Sequence, residues 1–409
     1  MTSAWFVLAV FGFVYVGMIV GRYPGLAIDR TGIALLGAIA LLAAGTVSAE
    51  AAWESIDVPT MGLLFGLMVL SAQLRLGGLY AAITRRIVAA QLGPEALLAV
   101  LIGVSGLLSA LLANDIVCLA IAPLLAEACA RRGLNPKPFL LALACAANIG
   151  SVATLIGNPQ NMLIGQTLQL SFAGYLLDAG VPAALGLVAL WWLVRRHAAG
   201  RWHAPTPVHA VHAPAFNRWQ TGKGVTVLGL LVAAFLWTPW PREIVALAAA
   251  GILLMSRRMH SRHMLGLVDW QLLVLFAGLF VVNHALQSSG LAQRAMDWLA
   301  ARHVDVAHPA WVFTLTVLLS NLVSNVPAVM LMLPAAMHTA AGPALALSST
   351  LAGNLFIVGS IANIIVVDQA AQFGVRITWQ EHARLGLPVT LVTLLIAAAW
   401  LWLITTATA

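Results

Sequence analysis

Two stretches of the chain carry the same spacing of polar residues inside long apolar runs. In the first copy, LLSALLANDIVCLAIAPLL, the polar residues are Ser109 and Asn114. In the second copy, LLSNLVSNVPAVMLMLP, they are Ser320 and Asn325, each 211 residues further on. Amide and hydroxyl oxygens can coordinate a cation, and freed helix amides favour an anion, without the cost of burying a charged side chain. Both polar turns are therefore candidate binding positions.

Each copy continues with a second apolar run that is interrupted by a Gly-x-x-x-Asn spacing. Gly157 and Asn161 in NIGSVATLIGNPQNMLIG have counterparts 202 residues further on, which are Gly359 and Asn363 in GNLFIVGSIANIIVVD. Interrupted apolar segments at matching positions of two halves are typical of the binding site of a secondary transporter. The alternative is that the small residues only allow helices to pack closely.

The candidate site consists of the polar and small residues at these four interruptions. They are Asn114, Asp115, Thr154, Gly157, Asn158, Asn161, Ser324, Asn325, Gly359, Ser360 and Asn363. A carboxylate at membrane depth is costly, so Asp115 is expected to be a cation ligand or a proton carrier, with a structural helix cap as the alternative. Sodium is expected at Asn114, Asp115 and Asn325 if it is the coupling ion, and the sequence indicates no other metal and no cofactor.

The composition predicts an all-α polytopic membrane protein. Hydrophobic residues make up 61% of the 409 residues, charged residues 9%, and the mean hydropathy is +0.93, whereas soluble domains carry about 25% charged residues. Apolar runs of about 20 residues, the length that crosses a bilayer, recur along the chain. Ten spans are predicted at 4–21, 31–47, 58–74, 138–168, 180–194, 224–240, 242–256, 270–287, 344–368 and 385–405, of which 138–168 and 344–368 are broken helices.

Two further apolar segments, 95–127 and 309–338, are predicted to be re-entrant hairpins. Each has Asn or Ser at its middle, and a helix break at membrane depth is tolerated only where the backbone is buried in protein or faces water. An amphipathic piece at 77–92 precedes the first hairpin. The alternative for each hairpin is one long kinked span.

The distribution of basic residues predicts the orientation in the membrane. If the two hairpins do not cross the membrane, 18 of the 21 Lys and Arg residues fall in loops on one side of it. By the positive-inside rule, that side is the cytoplasm. Both termini are then periplasmic, in the inner membrane of a bacterium. Because the basic residues lie in short loops, the net charge of +7 does not indicate a nucleic-acid partner.

The same layout predicts two inverted repeats. Residues 1–195 and 223–409 each contain five spans and one hairpin, and an odd number of spans turns the second repeat upside down. Residues 196–222 form a cytoplasmic linker that carries His197, His203, His209 and His212 without a metal-ligand spacing. The three cysteines lie in or beside apolar segments and are expected to be buried.

At these motifs the chain resembles the ion transporter superfamily, which includes divalent anion/sodium symporters, arsenite pumps, citrate transporters and sodium/proton antiporters. Within that superfamily it is most similar to bacterial anion permeases without an assigned substrate. The resemblance covers essentially the whole chain. It implies an inverted-repeat fold, a mobile transport subdomain that moves as an elevator against a scaffold, a small anionic substrate, membrane lipid around the protein and a homodimer.

The resemblance also implies that Asn114, Asn325 and the Gly and Asn residues of the broken helices hold substrate and coupling ions. Dicarboxylate symporters have Ser-Asn-Thr at both turns, whereas this chain has Ala113-Asn114-Asp115 and Ser324-Asn325-Val326. The Asn-Asp turn is similar to the arsenite-pump and antiporter branch, and the GNPQN break is similar to the citrate and anion branch.

Three hypotheses for function follow. The first is secondary active transport of a small anion coupled to sodium or protons. The second is cation/proton antiport or arsenite-type efflux, with Asp115 as the exchange ligand. The third is a membrane enzyme, which the sequence disfavours because it contains no HExxH, Walker or GxSxG motif and no paired-aspartate motif.

Overall fold

The computed structural model describes residues 2–21, 23, 25–204, 215–256 and 259–408, and its named elements are all helical. The α-helices are α1 Thr2–Val20, α2 Arg30–Ala43, α3 Ala49–Ser55, α4 Val58–Leu76, α5 Leu79–Ala89, α6 Pro94–Leu111, α7 Asn114–Arg131, α8 Pro136–Ser151, α9 Pro159–Thr167, α10 Phe172–Ala198, α11 Arg218–Trp237, α12 Arg242–Leu254, α13 Ser261–Leu265, α14 Trp270–Ser288, α15 Leu291–Ala300, α16 Pro309–Val323, α17 Asn325–Met332, α18 Ala341–Ala352, α19 Ile361–Gln372 and α20 Trp379–Thr408. Short 3-10 turns occupy Leu333–Ala335 and Ile357–Gly359. Five residues used in the charge and histidine predictions lie outside the described residues: Arg22, His209, His212, Arg257 and Arg258.

The predicted all-α membrane fold is confirmed. Six of the described helices are long and apolar enough to cross a membrane: α4, α6, α10, α11, α14 and α20. Four shorter apolar helical segments accompany them, at Ala4–Val20, Arg30–Ala43, Pro309–Val323 and Asn325–Ala335. The three cysteines are buried and unpaired.

Several helices begin earlier than their apolar runs because polar caps extend them. Ser171 Oγ accepts the Gly174 amide at 3.2 Å, so α10 begins at Phe172 rather than at the predicted residue 180. At the start of α20, the Thr378 amide donates to Glu381 Oε2 at 2.8 Å. The Glu381 amide donates back to Thr378 Oγ1 at 3.2 Å, which is a capping box. Apolar windows alone do not reveal such caps.

One set of helices, α1, α2, α4, α11, α12 and α14, forms what we call the six-helix group. In it α4 packs on α11 and α12, and α14 packs on α1 and α2. Gly66 of α4 lies against the backbone of Ala246, and Gly278 of α14 lies against the backbone of Ala34. A Cβ at either glycine would come within 3.0 Å of those backbones, so the close crossing requires glycine at both.

The remaining long helices, α6 to α10 and α16 to α20, form what we call the hairpin group. Its centre is α8, which packs on α6, α7, α10 and α19, while α18 packs on α16, α17 and α20. Helix α5 joins the two groups before α6 and buries Tyr80, Ala81 and Thr84, whereas α15 joins them before α16 and buries none of its residues. All four sequence interruptions therefore fall in the hairpin group.

Candidate binding site

The two hairpin turns place an asparagine at the start of the second arm. Helix α6 ends at Leu111 and α7 begins at Asn114, while α16 ends at Val323 and α17 begins at Asn325. The two asparagines are 4% and 7% exposed. The backbone amide of Asn114 donates to the backbone carbonyl of Gly157 at 3.1 Å. The first hairpin turn is thus bound to the break between α8 and α9.

The second hairpin turn is bound to two breaks. With its side-chain amide oriented to satisfy both polar atoms, Asn325 donates from Nδ2 to the carbonyls of Ser349 and Gly359, each at 3.0 Å. Its Oδ1 accepts from Gln160 Nε2 at 3.3 Å. Because Gln160 belongs to α9, the turn in the second half also touches the break in the first half.

Asn148 of α8 connects the first turn to the break in the second half. It is fully buried. Its Oδ1 accepts from Asn114 Nδ2 at 3.2 Å and from Ser360 Oγ at 2.9 Å. Its Nδ2 donates to Asn354 Oδ1 at 3.0 Å and to Asn363 Oδ1 at 3.2 Å. A side-chain amide can accept two hydrogen bonds and donate two, so Asn148 uses its whole capacity on these four residues.

The first break is held by its own side chains. Asn158 Oδ1 accepts the Asn161 amide at 2.8 Å and so caps α9. Asn161 Nδ2 donates to the Thr154 carbonyl at 3.0 Å and to the Tyr175 hydroxyl at 3.1 Å. Thr154 Oγ1 donates to the Ala110 carbonyl on the first hairpin arm. These bonds satisfy backbone groups that the interrupted helix leaves unpaired.

The second break is held in a corresponding way. Asn363 Nδ2 donates to the carbonyls of Gly353 and Phe356 at 2.8 and 3.1 Å. The buried His382 of α20 contacts the Asn354 carbonyl through Nε2 at 3.1 Å. The break therefore depends on contacts from α19 and α20 as well as on the Asn148 amide.

The glycines of the two breaks differ in how closely they are enclosed. A Cβ on Gly157 would lie 2.2 Å from the Ser151 carbonyl oxygen and 2.7 Å from the Ser109 carbonyl oxygen. A Cβ on Gly359 would lie 3.2 Å from its nearest neighbour, the Gly353 carbonyl oxygen. Only the first position forbids a side chain outright.

We expect Gly157→Ala to lower the melting temperature of the detergent-solubilised protein much more than Gly359→Ala. The added methyl group at residue 157 would press on two backbone carbonyls and displace the partner of the Asn114 amide, and such overpacking costs about 1–3 kcal/mol or more. Thermal unfolding of the two variants side by side gives the comparison. Equal melting temperatures would show that the first break is not the tighter one.

Of the two hairpin turns, only the second contains a non-glycine residue with positive φ. Ser324 has φ 77° and ψ 163°, a conformation that is costly for any residue with a side chain. The first turn, at Leu112 and Ala113, has ordinary negative φ values. Strain of this kind concentrates at functional sites, which agrees with a binding role for the second turn.

Asp115 stands apart from the amide network. It lines a cavity of about 280 Å³ beside the first turn, together with Arg75 of α4 and Asp269 at the start of α14. Of these three residues, Asp269 is exposed, so the cavity is open to solvent on its side. Of the predicted site residues, only Asp115 faces this route to solvent.

Two buried amide oxygens of the site lack a hydrogen-bond donor among the described residues. They are Asn114 Oδ1 and Asn161 Oδ1. A neutral oxygen that is buried without a donor is a fit ligand for a hard cation or for water. Asn114 therefore suits the sodium role that the sequence suggests for it.

Several residues of the network were not among the predicted ones. Asn148, Gln160, Tyr175, Thr350 and His382 all contribute hydrogen bonds to the breaks. Their signal in the sequence is weak because the two halves carry different residue types at matching positions, as at Asn148 and Thr350. Asn148 is nevertheless the first residue of the interrupted run NIGSVATLIGNPQNMLIG, where a side-chain amide stands out against apolar neighbours.

The fold and the site together define a class: polytopic helical membrane proteins in which two hairpin turns meet two broken helices. The sequence model of the citrate transporter family matches residues 13–346, so the chain belongs to the citrate transporter family. That membership makes it an integral membrane transporter of the ion transporter superfamily.

Relatives named as transporters match nearly the whole chain. A silicon efflux transporter of rice is 32% identical over 463 residues, covering 93% of this chain and 94% of that protein. A transporter of Mycobacterium tuberculosis described as uncharacterised is 31% identical over 407 residues, covering 92% and 94%. The crystal structure of the YdaH transporter of Alcanivorax borkumensis shares the fold with a TM-score of 0.63 at 18% identity, covering 99% and 98%.

Proposed function

We propose that this protein is a secondary active transporter that moves a small anion across the bacterial inner membrane, coupled to sodium or protons. The observation that carries the proposal is the buried amide network centred on Asn148. This network joins a hairpin turn of one half to the broken helix of the other half. A site that both halves build at their interruptions is the arrangement expected of a transporter with repeated halves.

Matched contacts in the hairpin group support an inverted-repeat relation between the halves. Asn158 Nδ2 donates to Thr350 Oγ1 at 3.3 Å, and Ser360 Oγ donates to Asn148 Oδ1 at 2.9 Å. The two donors are 202 residues apart in sequence, and so are the two acceptors. In one pair the donor lies in the first half and the acceptor in the second, and in the other pair the halves are reversed. A two-fold axis between the halves produces this relation.

Matched contacts in the six-helix group support the same relation. Gly66 touches Ala246, and Gly278 touches Ala34. The two glycines are 212 residues apart, as are the two alanines. In both groups, therefore, each half contacts the other through equivalent residues.

The two ends of the site differ in how the hairpin group is joined to the six-helix group. Near the start of α4, Arg242 donates to the carbonyls of Gly165 and Leu170, and Gln166 Nε2 donates to Glu243 Oε2 at 3.1 Å. These bonds tie α9 of the hairpin group to α12 of the six-helix group. The 280 Å³ cavity lies toward the other end of α4. An elevator movement of the hairpin group, in a homodimer, would open the tied end and close the cavity.

The chemistry of the site favours a small oxygen-rich solute. At the two hairpin turns, the backbone amides of Asp115, Asn325 and Val326 have no acceptor among the described residues, and helix N-termini attract anions. Apart from Asp115 in the first turn of α7, the side chains at these turns are neutral amide and hydroxyl groups. The names of the matching family, a citrate transporter, and of the rice relative, a silicon efflux transporter, both fit such a solute.

A second candidate is cation/proton antiport or arsenite-type efflux, in which Asp115 exchanges the transported ions. The position of Asp115 favours it, because this carboxylate lines a solvent-reaching cavity and forms no ion pair with any described residue. Transport that requires only a sodium or proton gradient, with no anion, would select this candidate. A membrane enzyme would instead show turnover in detergent, where no gradient exists.

A thermal-shift panel tests the proposed substrate class. Citrate, phosphate, sulfate and silicate are each added to the purified protein with and without sodium. A bound anion raises the melting temperature by mass action, and sodium coupling predicts a larger rise when both are present. A panel in which sodium alone stabilises, and no anion does at any pH, would favour the antiporter.

Cysteine labelling tests the predicted orientation. The native cysteines are buried, so background labelling should be low. A membrane-impermeant maleimide applied to intact spheroplasts should label Ala301→Cys, which the charge distribution places outside, and should spare Ala199→Cys at the end of α10. Both positions are exposed. The reverse pattern would invert the assignment of cytoplasm and periplasm.

A further inference from the structure

The cavity beside Asp115 contains one basic side chain. Arg75, near the end of α4, lines it with Asp115 and Asp269. Neither carboxylate is within 4.0 Å of the guanidinium, which forms no side-chain hydrogen bond to a described residue. Asp269 Oδ1 accepts the Leu272 amide at 2.9 Å and is held at the rim. Among the described residues, Arg75 is therefore a half-buried cation with neither an ion-pair partner nor a hydrogen-bond acceptor.

A guanidinium in this position is costly unless an anion reaches it. Taking a charge partly out of water without a partner is unfavourable, and a guanidinium presents a fork of N–H donors that matches carboxylates and oxyanions. The cavity of about 280 Å³ leads from the exposed end of α14 to the first hairpin turn at Ala113 and Asp115. A small anion moving along this route must pass Arg75.

The matching position in the other half carries no charge. Residue 287, which is 212 residues beyond Arg75, is a glutamine, and α4 and α14 begin and end 212 residues apart. Gln287 lines a different cavity, of about 600 Å³, beside the second hairpin, and no charged residue lines that cavity. The cavity beside the first turn therefore contains a guanidinium that the cavity beside the second hairpin lacks. The basic residue near the opposite end of α4, Arg242, already donates to the carbonyls of Gly165 and Leu170.

We propose that Arg75 is a specificity-determining residue that binds the transported anion on one side of the membrane only, as a carboxylate or oxyanion held by its N–H fork. This inference rests on the proposed anion transport. The charge distribution assigns the side to the cytoplasm. The anion enters or leaves the site through the cavity next to Arg75, whereas the guanidinium near the opposite end of α4, Arg242, is already bonded to backbone carbonyls.

Arg75→Gln is the test variant, because glutamine is the residue that α14 carries at the matching position and should be compatible with the fold. Arg75→Lys keeps the charge without the fork. Arg85→Gln is the control, because Arg85 is exposed on the neighbouring helix α5 and its loss changes the net charge equally. Rates are measured in right-side-out and everted membrane vesicles, with whichever of citrate, phosphate, sulfate or silicate stabilises the native protein most.

Loss of a charge-assisted hydrogen bond predicts that Arg75→Gln raises the half-saturating anion concentration about tenfold or more on the cavity side. The value on the opposite side should stay within about twofold, Arg75→Lys should be intermediate, and Arg85→Gln should match the native protein. An unchanged half-saturating concentration on the cavity side, or an equal rise on both sides, would overturn the role of Arg75 and leave the proposed function standing. Native vesicles that show no saturable transport of any of the four anions would overturn the proposed function and this inference with it.

Discussion

We expect Asn148→Ala to abolish transport, with a rate at least about a hundredfold below that of the native protein. The substitution removes the one side chain that binds Asn114, Asn354, Ser360 and Asn363 together. Each buried polar group that loses its partner costs about 1–3 kcal/mol, so the first turn and the second break no longer hold their relative positions. Uptake into proteoliposomes, normalised to folded protein, measures the effect.

A matched control separates loss of the site from loss of stability. Gln73 is also a fully buried amide, and its Nε2 donates to the Gln220 carbonyl at 3.0 Å and to Gln220 Oε1 at 2.9 Å. It lies in the six-helix group, away from the breaks. Gln73→Ala should lower the melting temperature but retain transport. Native-like transport by Asn148→Ala, or equal loss in both variants, would contradict the assignment of the site.

Asp115→Asn should uncouple transport from the ion gradient. If the carboxylate binds sodium, removal of its charge moves the sodium dependence to much higher concentrations. If it carries a proton, the neutral side chain removes the pH dependence of transport. In both cases the variant should lose concentrative uptake and still exchange labelled for unlabelled anion. A structural cap predicts neither change, because asparagine caps a helix as well as aspartate does.

Asp269→Asn is the control for this variant, because Asp269 lines the same cavity and its loss removes the same charge. Its role as the N-cap of α14 is preserved by asparagine. We expect it to retain concentrative uptake, because the carboxylate of Asp115 is intact. Concentrative uptake by Asp115→Asn with native ion dependence would eliminate the view that Asp115 couples the ion to the substrate.

The sequence allowed the fold class to be predicted because composition and apolar length decide whether a chain spans a membrane. The four interruptions were visible for a related reason: Asn, Ser and Gly stand out against an apolar background. Matching positions such as Asn114 and Asn325 then identified the turns at which two hairpin arms meet. Helix bounds were less accurate where polar caps at Ser171 and Thr378 extended α10 and α20 beyond their apolar runs.

The connections between the halves could not be predicted. Asn148 and Ser360 are 212 residues apart in sequence but 2.9 Å apart in space, and no local pattern encodes that distance. Arg75 appeared in the sequence as one more basic residue near the end of a predicted span. Only packing of α4, α7 and α14 around one cavity shows that it faces Asp115 rather than a surface loop.

Concentrative uptake is the most direct measure of the central claim. Purified protein in proteoliposomes is given the panel anion that stabilises it most, under an inward sodium gradient, a proton gradient or neither. We predict that the anion accumulates above its external concentration under one of the two gradients and that an ionophore for that ion abolishes the accumulation. Failure of every panel anion to accumulate under either gradient, in vesicles where sodium or proton exchange proceeds normally, would contradict it.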